Sequence, residues 1–154
     1  MDGLKPVTIL LVEDDRGDQK LIKRSLTDQK IANDVFIAES AENALEYLQR
    51  TKNDDGQCPR PELILLDLNM PGMGGKEFLR RIKADADFDT IPVVILTTSN
   101  SEKDVLESYK LQAAGYVNKP VSMEGFKEIM NELCEYWFVI CKRVSESQLA
   151  CAKS

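Results

Sequence analysis

The sequence predicts an α/β protein built on a doubly wound parallel sheet with helices on both faces. Five short apolar runs alternate with five segments of helical periodicity, the pattern of strands joined by crossover helices. Acidic residues stand directly after the first and third runs, where open parallel sheets bind their ligands. At 154 residues the chain fits one domain, read as residues 1–144 with a short tail over 145–154.

The strands are expected at 7–12 (VTILLV), 34–38 (DVFIA), 62–67 (ELILLD), 92–97 (PVVILT) and 115–118 (GYVN). Three of them are almost continuously hydrophobic, as strands buried on both faces should be. The first helix, roughly 16–29, offers Leu21, Ile22 and Leu26 to the core, with Asp15 read as a cap before it. Ser40 stands at the N-cap of the second helix, whose packing face is Ala41, Ala44, Leu45 and Leu48. The polar segment 51–61 (TKNDDGQCPRP) reads as the loop into the third strand, at the N-terminal edge of the sheet. Phe78, Leu79 and Ile82 mark the third helix and Val105, Leu106 and Tyr109 the fourth, with Ser101 and Asp104 resembling a capping box. No internal repeat or low-complexity tract interrupts this pattern.

Twenty basic residues against 26 acidic ones give a net charge of -6, which disfavours attraction to nucleic acid or anionic membranes. No stretch approaches the ~18 apolar residues of a membrane helix, and the apolar start is too short for a signal peptide, so a cytoplasmic protein is expected. Cys58, Cys134, Cys141 and Cys151 lack CxxC spacing and read as reduced thiols. The chain contains no histidine, which excludes imidazole chemistry and the role of histidine kinase or phosphotransfer protein.

The chemistry is concentrated at the strand ends. Glu13 and Asp14 follow the first strand, and Asp67 ends the third. If the strand order is 2-1-3-4-5, those two strands are neighbours and the three carboxylates share one crevice at the topological switch point. Such a trio repels itself unless a cation lies between, and Mg2+, a hard ion satisfied by few carboxylates plus water and a phosphoryl oxygen, is the expected cofactor. The simpler reading is that these acids only terminate strands and cap helices. Thr97 and Thr98 end the fourth strand and Lys119 follows the fifth, adding hydroxyls and an ammonium suited to the oxygens of a transferring phosphoryl group. Lys119 is expected to pair with Asp67 when no phosphoryl group is present.

Taken together, LVEDD, LILLDLNMPGMGG, PVVILTTS and GYVNKP resemble the receiver domains of two-component response regulators, over about residues 6–140. The resemblance implies a flavodoxin-like fold of strand order 2-1-3-4-5, to which the periodicity after Ser122 adds an extended C-terminal helix. It implies Asp67 as phosphoacceptor, Asp14 as a direct metal ligand, Glu13 as an acid holding the metal through water, and Asn69 as a backbone carbonyl ligand. Thr97 would be the switch hydroxyl, Tyr116 the aromatic that follows it inward, and Lys119 the phosphoryl-binding lysine, with a cis bond to Pro120. Thr98 is bulkier than the side chain many receivers carry there. Met70-Pro71 and Gly74-Gly75 suit a tight loop after Asp67. Such a protein is a phosphoacceptor, not a conventional enzyme, though it catalyses its own phosphoryl transfer and hydrolysis.

From Ser122 onward Phe126, Met130, Leu133, Trp137, Cys141 and Val144 step at heptad-like intervals, longer than covering one sheet requires. A homodimer through this helix is expected, the alternative being a tail folded back on its own domain. The aromatic helix is similar to that of regulators served by phytochrome-type histidine kinases. The tail SESQLACAKS is too short for an output domain, so output is expected through protein contacts, with Thr97 and Tyr116 shifting a two-state equilibrium. Three other readings stay open: a pseudo-receiver acting only as a binding module, a phosphatase of the haloacid-dehalogenase kind, and a flavin-binding protein. The phosphatase needs a second Asp where Asn69 stands, and the flavin protein a phosphate loop where VEDD stands.

Overall fold

The computed structural model describes residues 7–27, 33–53, 58–97, 102–118 and 123–134. Its elements run β1 (Val7–Val12), α1 (Arg16–Thr27), β2 (Asn33–Ala38), α2 (Ala41–Thr51), β3 (Leu63–Leu66), α3 (Gly74–Lys83), β4 (Val93–Thr97), α4 (Glu102–Lys110), β5 (Gly115–Asn118) and α5 (Met123–Cys134). The five strands form one sheet in the order β2-β1-β3-β4-β5, every neighbouring pair parallel. This is the doubly wound, flavodoxin-like receiver fold that the sequence predicts.

Side chains alternate across each strand, so the two sheet faces feed two cores. Leu10, Val12, Ile64, Leu66, Val93 and Ile95 meet Ala41, Ala44 and Leu48 of α2 and Phe78, Leu79 and Ile82 of α3. On the other face Val7, Ile9, Leu11, Leu63, Leu65, Val94 and Leu96 meet Ile22 and Leu26 of α1, with Ile129 of α5 packed against them. The inner strands β1 and β3 are buried throughout, which is why their sequences lack polar alternation.

Where boundaries differ from expectation, hydrogen bonding explains the difference. Glu62 and Asp67 fall just outside β3, yet their N–H groups still bond Thr8 O at 2.8 Å and Val12 O at 3.0 Å. Pro92 has no N–H to give to a ladder and contributes only its carbonyl, to Ile64 N at 3.0 Å. Ser40 caps α2 as expected, accepting from Asn43 N at 3.0 Å, and Asp15 Oδ1 accepts from Asp18 N at 2.9 Å at the start of α1.

The expected packing face of α4 needs correction. Leu106 is 60% exposed and Tyr109 50% exposed, while Ser108 is fully buried. The cause is the end of the helix: Ala113 N bonds Ser108 O at 3.0 Å and Ala114 N bonds Val93 O at 2.8 Å, which ties that end to β4 with the Ser108 side inward. The expected capping box at Ser101 lies outside the described residues, as do Trp137, Cys141, Val144 and the continuation of the last helix. Among the described residues no helix is long and apolar enough to cross a membrane.

Candidate functional site

Two backbone bonds bring the acids together. Glu13 N–H bonds Ala38 O at 3.0 Å, carrying the β1–β2 ladder one residue past the strand. Asp67 N–H bonds Val12 O at 3.0 Å and does the same for β3 and β1. Because β1 lies between β2 and β3, Glu13 and Asp67 emerge side by side at the C-terminal edge. Each of Glu13, Asp14 and Asp67 offers a carboxylate oxygen, and these oxygens all lie within 4.8 Å of one another. The spatial expectation drawn from the strand order therefore holds.

Glu13 and Asp67 are buried and Asp14 faces solvent. Backbone donors orient the two buried carboxylates: Asp15 N–H to Glu13 Oε2 at 3.2 Å, and Asn69 N–H to Asp67 Oδ1 at 3.0 Å. At 4.8 Å two full negative charges repel by roughly 3 kcal/mol at an effective dielectric near 20. A hard cation removes that repulsion, and three carboxylate oxygens converging from two strand ends are donors of the right kind for one.

The loop after Asp67 depends on glycine at specific points. Gly72 and Gly74 have φ of +78° and +80°, a region costly for other residues. Gly75 sits where α3 meets the acid: a Cβ there would lie 2.5 Å from the Asp67 backbone oxygen. The two neighbouring glycines thus divide the work, Gly74 making the turn and Gly75 the close approach.

One supporting residue escaped the sequence reading. Gln19, on the buried stripe of α1 with Ile22 and Leu26, donates from Nε2 to Glu13 O at 2.6 Å. A polar residue in register with an apolar stripe is the signal that could have found it. Tyr116, one of the expected switch residues, is partly buried against the core below α3 and α4, opposite Ile95 in the sheet. Thr97 closes β4 opposite Asn118, so its backbone reaches the same edge. Its side chain lies outside the described residues, as do Thr98, Lys119, the expected Lys119–Asp67 pair and the Lys119–Pro120 bond.

Comparison with known proteins agrees with this geometry. The response regulator receiver domain family matches residues 9–131. Response regulator Rcp1 of Synechocystis is 37% identical over 132 residues, spanning 86% of this chain and 89% of that protein. The probable methanogenesis regulatory protein FilR2 of Methanothrix harundinacea is 36% identical over 137 residues, 89% of this chain and 87% of its own length. The crystal structure of the phosphorylated cyanobacterial phytochrome response regulator RcpA superposes with a TM-score of 0.79 at 35% identity, covering 87% of this chain and 95% of that one. The Mn2+-bound form of Rcp1 gives a TM-score of 0.77 at 37% identity, covering 86% and 94%. With the sheet order, the acidic cluster and the family match in agreement, the chain belongs to the response regulator receiver domain family.

Proposed function

We propose that this protein is a stand-alone response regulator that accepts a phosphoryl group on Asp67 from a histidine kinase, with Mg2+ held by Glu13, Asp14, Asp67 and the backbone carbonyl of Asn69. The observation that carries this reading is the convergence of the three carboxylates within 4.8 Å, one of them the buried Asp67. The Asp67 oxygen not bonded to Asn69 N–H is the nucleophile. It forms the O–P bond as the P–N bond of a phosphohistidine breaks, and the electron pair returns to the imidazole, which takes up a proton. When bound, the cation offsets the negative charge of the carboxylates and the phosphoryl oxygens.

In this reading the chain's own residues position and read out the reaction. Asn69 N–H and the turn through Gly72, Gly74 and Gly75 fix the Asp67 carboxylate. Thr97 and Lys119 contact the phosphoryl oxygens, and Tyr116 moves with Thr97 to alter the α4–β5 surface. Hydrolysis of the acyl phosphate, catalysed by the same site, resets the protein. Likeness to the phytochrome response regulator RcpA supports a phytochrome-type kinase as partner. The heptad-like stripe from Phe126 to Val144 supports a homodimer through the last helix.

Incubation with acetyl phosphate and Mg2+ tests the assignment. The wild type should acquire one hydroxylamine-sensitive acyl phosphate, and Asp67→Ala should acquire none. Persistent labelling of Asp67→Ala would overturn it.

A further inference from the structure

Away from the acidic pocket, residues of α3 and α4 line a shallow, open cleft of about 340 Å3, bordered by Lys76, Glu77, Arg80, Glu107, Lys110 and Leu111. Both carboxylates are already engaged. Glu77 is held by Arg80 and by Arg81 at 2.9 Å, and Glu107 by Lys76 at 2.7 Å and Lys103 at 4.0 Å. Lys110 has no anionic partner among the described residues. Lys76, Arg80 and Lys110 line the cleft beside these two carboxylates, in a chain whose net charge is -6.

The cleft is not only basic. Leu111, which lines it, packs against the core, and beside the cleft on α4 the 60% exposed Leu106 lies one turn from both Lys103 and Lys110. The exposed leucine leaves apolar surface in water near Lys110, and one occupant meets both. The volume is near the lower end of the ~300–1,000 Å3 usual for ligand sites, room for a side chain or two of a partner. No aromatic side chain lines it, so it offers nucleic acid bases no stacking platform.

We propose that the α3–α4 cleft docks an acidic, leucine-bearing segment of a protein partner, its carboxylates on Arg80 and Lys110 and its leucine against Leu106 and Leu111. The proposal stands apart from the phosphoryl chemistry, since none of these residues belongs to the acidic site.

The full chain should be titrated with a fluorescein-labelled peptide of alternating Glu and Leu, and its emission anisotropy followed. A Lys and Leu peptide and a single-stranded oligonucleotide of matching charge serve as controls. Saturable binding of the Glu and Leu peptide, weakened about tenfold by Lys110→Glu and several-fold by Leu106→Ser, is the expected result. Both variants change exposed positions, and an unchanged melting temperature and acetyl phosphate labelling would show that the fold and Asp67 are intact. Absence of saturation, equal affinity of the variants, or preference for the oligonucleotide would overturn the proposal.

Discussion

Asp67 is held from two sides, by Asn69 N–H on its carboxylate and by the bare Cα of Gly75 against its backbone. A methyl group at position 75 has no room to shift, because the atom it meets at 2.5 Å is backbone and not a flexible side chain. Gly75→Ala should therefore cost about 3 kcal/mol in urea unfolding, near the upper end for overpacking, and slow acyl phosphate formation. At the opposite edge, Tyr47 donates its hydroxyl to Pro59 O at 2.7 Å, and burial, with Cys58 nearby, pushes its pKa up to about 12. Between the ordinary tyrosine value of 10.0 and about 12 the unfolded chain loses this proton first, so stability falls as pH rises through that window. Tyr47→Phe should cost about 1 kcal/mol at neutral pH and flatten the alkaline fall, both readable from melts across pH. At this scale the acids were legible because each ends an uninterrupted apolar run. Gln19 was not, because its place on the apolar stripe of α1 marks burial but not the carbonyl it reaches.

Strands and the first three helices follow closely from the sequence, since their apolar residues form one stripe or one run with no competing face. Ser40→Ala, which removes the α2 cap bond to Asn43 N, should lower stability by about 1 kcal/mol. The fourth helix is different. Over nine residues Val105, Leu106 and Tyr109 could define an inward face, yet the helix end bonded to β4 turns Ser108 inward instead. Periodicity cannot choose between two short stripes; the tie to the neighbouring strand does. Ser108 Oγ is buried with no hydrogen-bond partner among the described residues. Replacing it removes an unsatisfied hydroxyl and adds helix propensity, so Ser108→Ala should be neutral or stabilising by up to about 1 kcal/mol in thermal melts.

Across the whole molecule, function depends on strand order more than on any single element. A sheet in sequence order would put β2 between β1 and β3, whereas the observed crossover sets β1 beside β3 and so Glu13 and Asp14 beside Asp67. Alternating apolar runs predicted the layers, but the order itself came with the family resemblance, because parallel strands of similar hydrophobicity are interchangeable to a periodicity argument. The central claim is that this convergence forms a divalent cation site, and a thermal-shift titration with Mg2+ on the wild type and Asp14→Asn tests it most directly. The wild type should rise saturably in melting temperature. Without metal Asp14→Asn should melt higher than the wild type, relieved of one charge, and gain little from Mg2+. Equal stabilisation of both proteins, or no saturable response in the wild type, would contradict the claim.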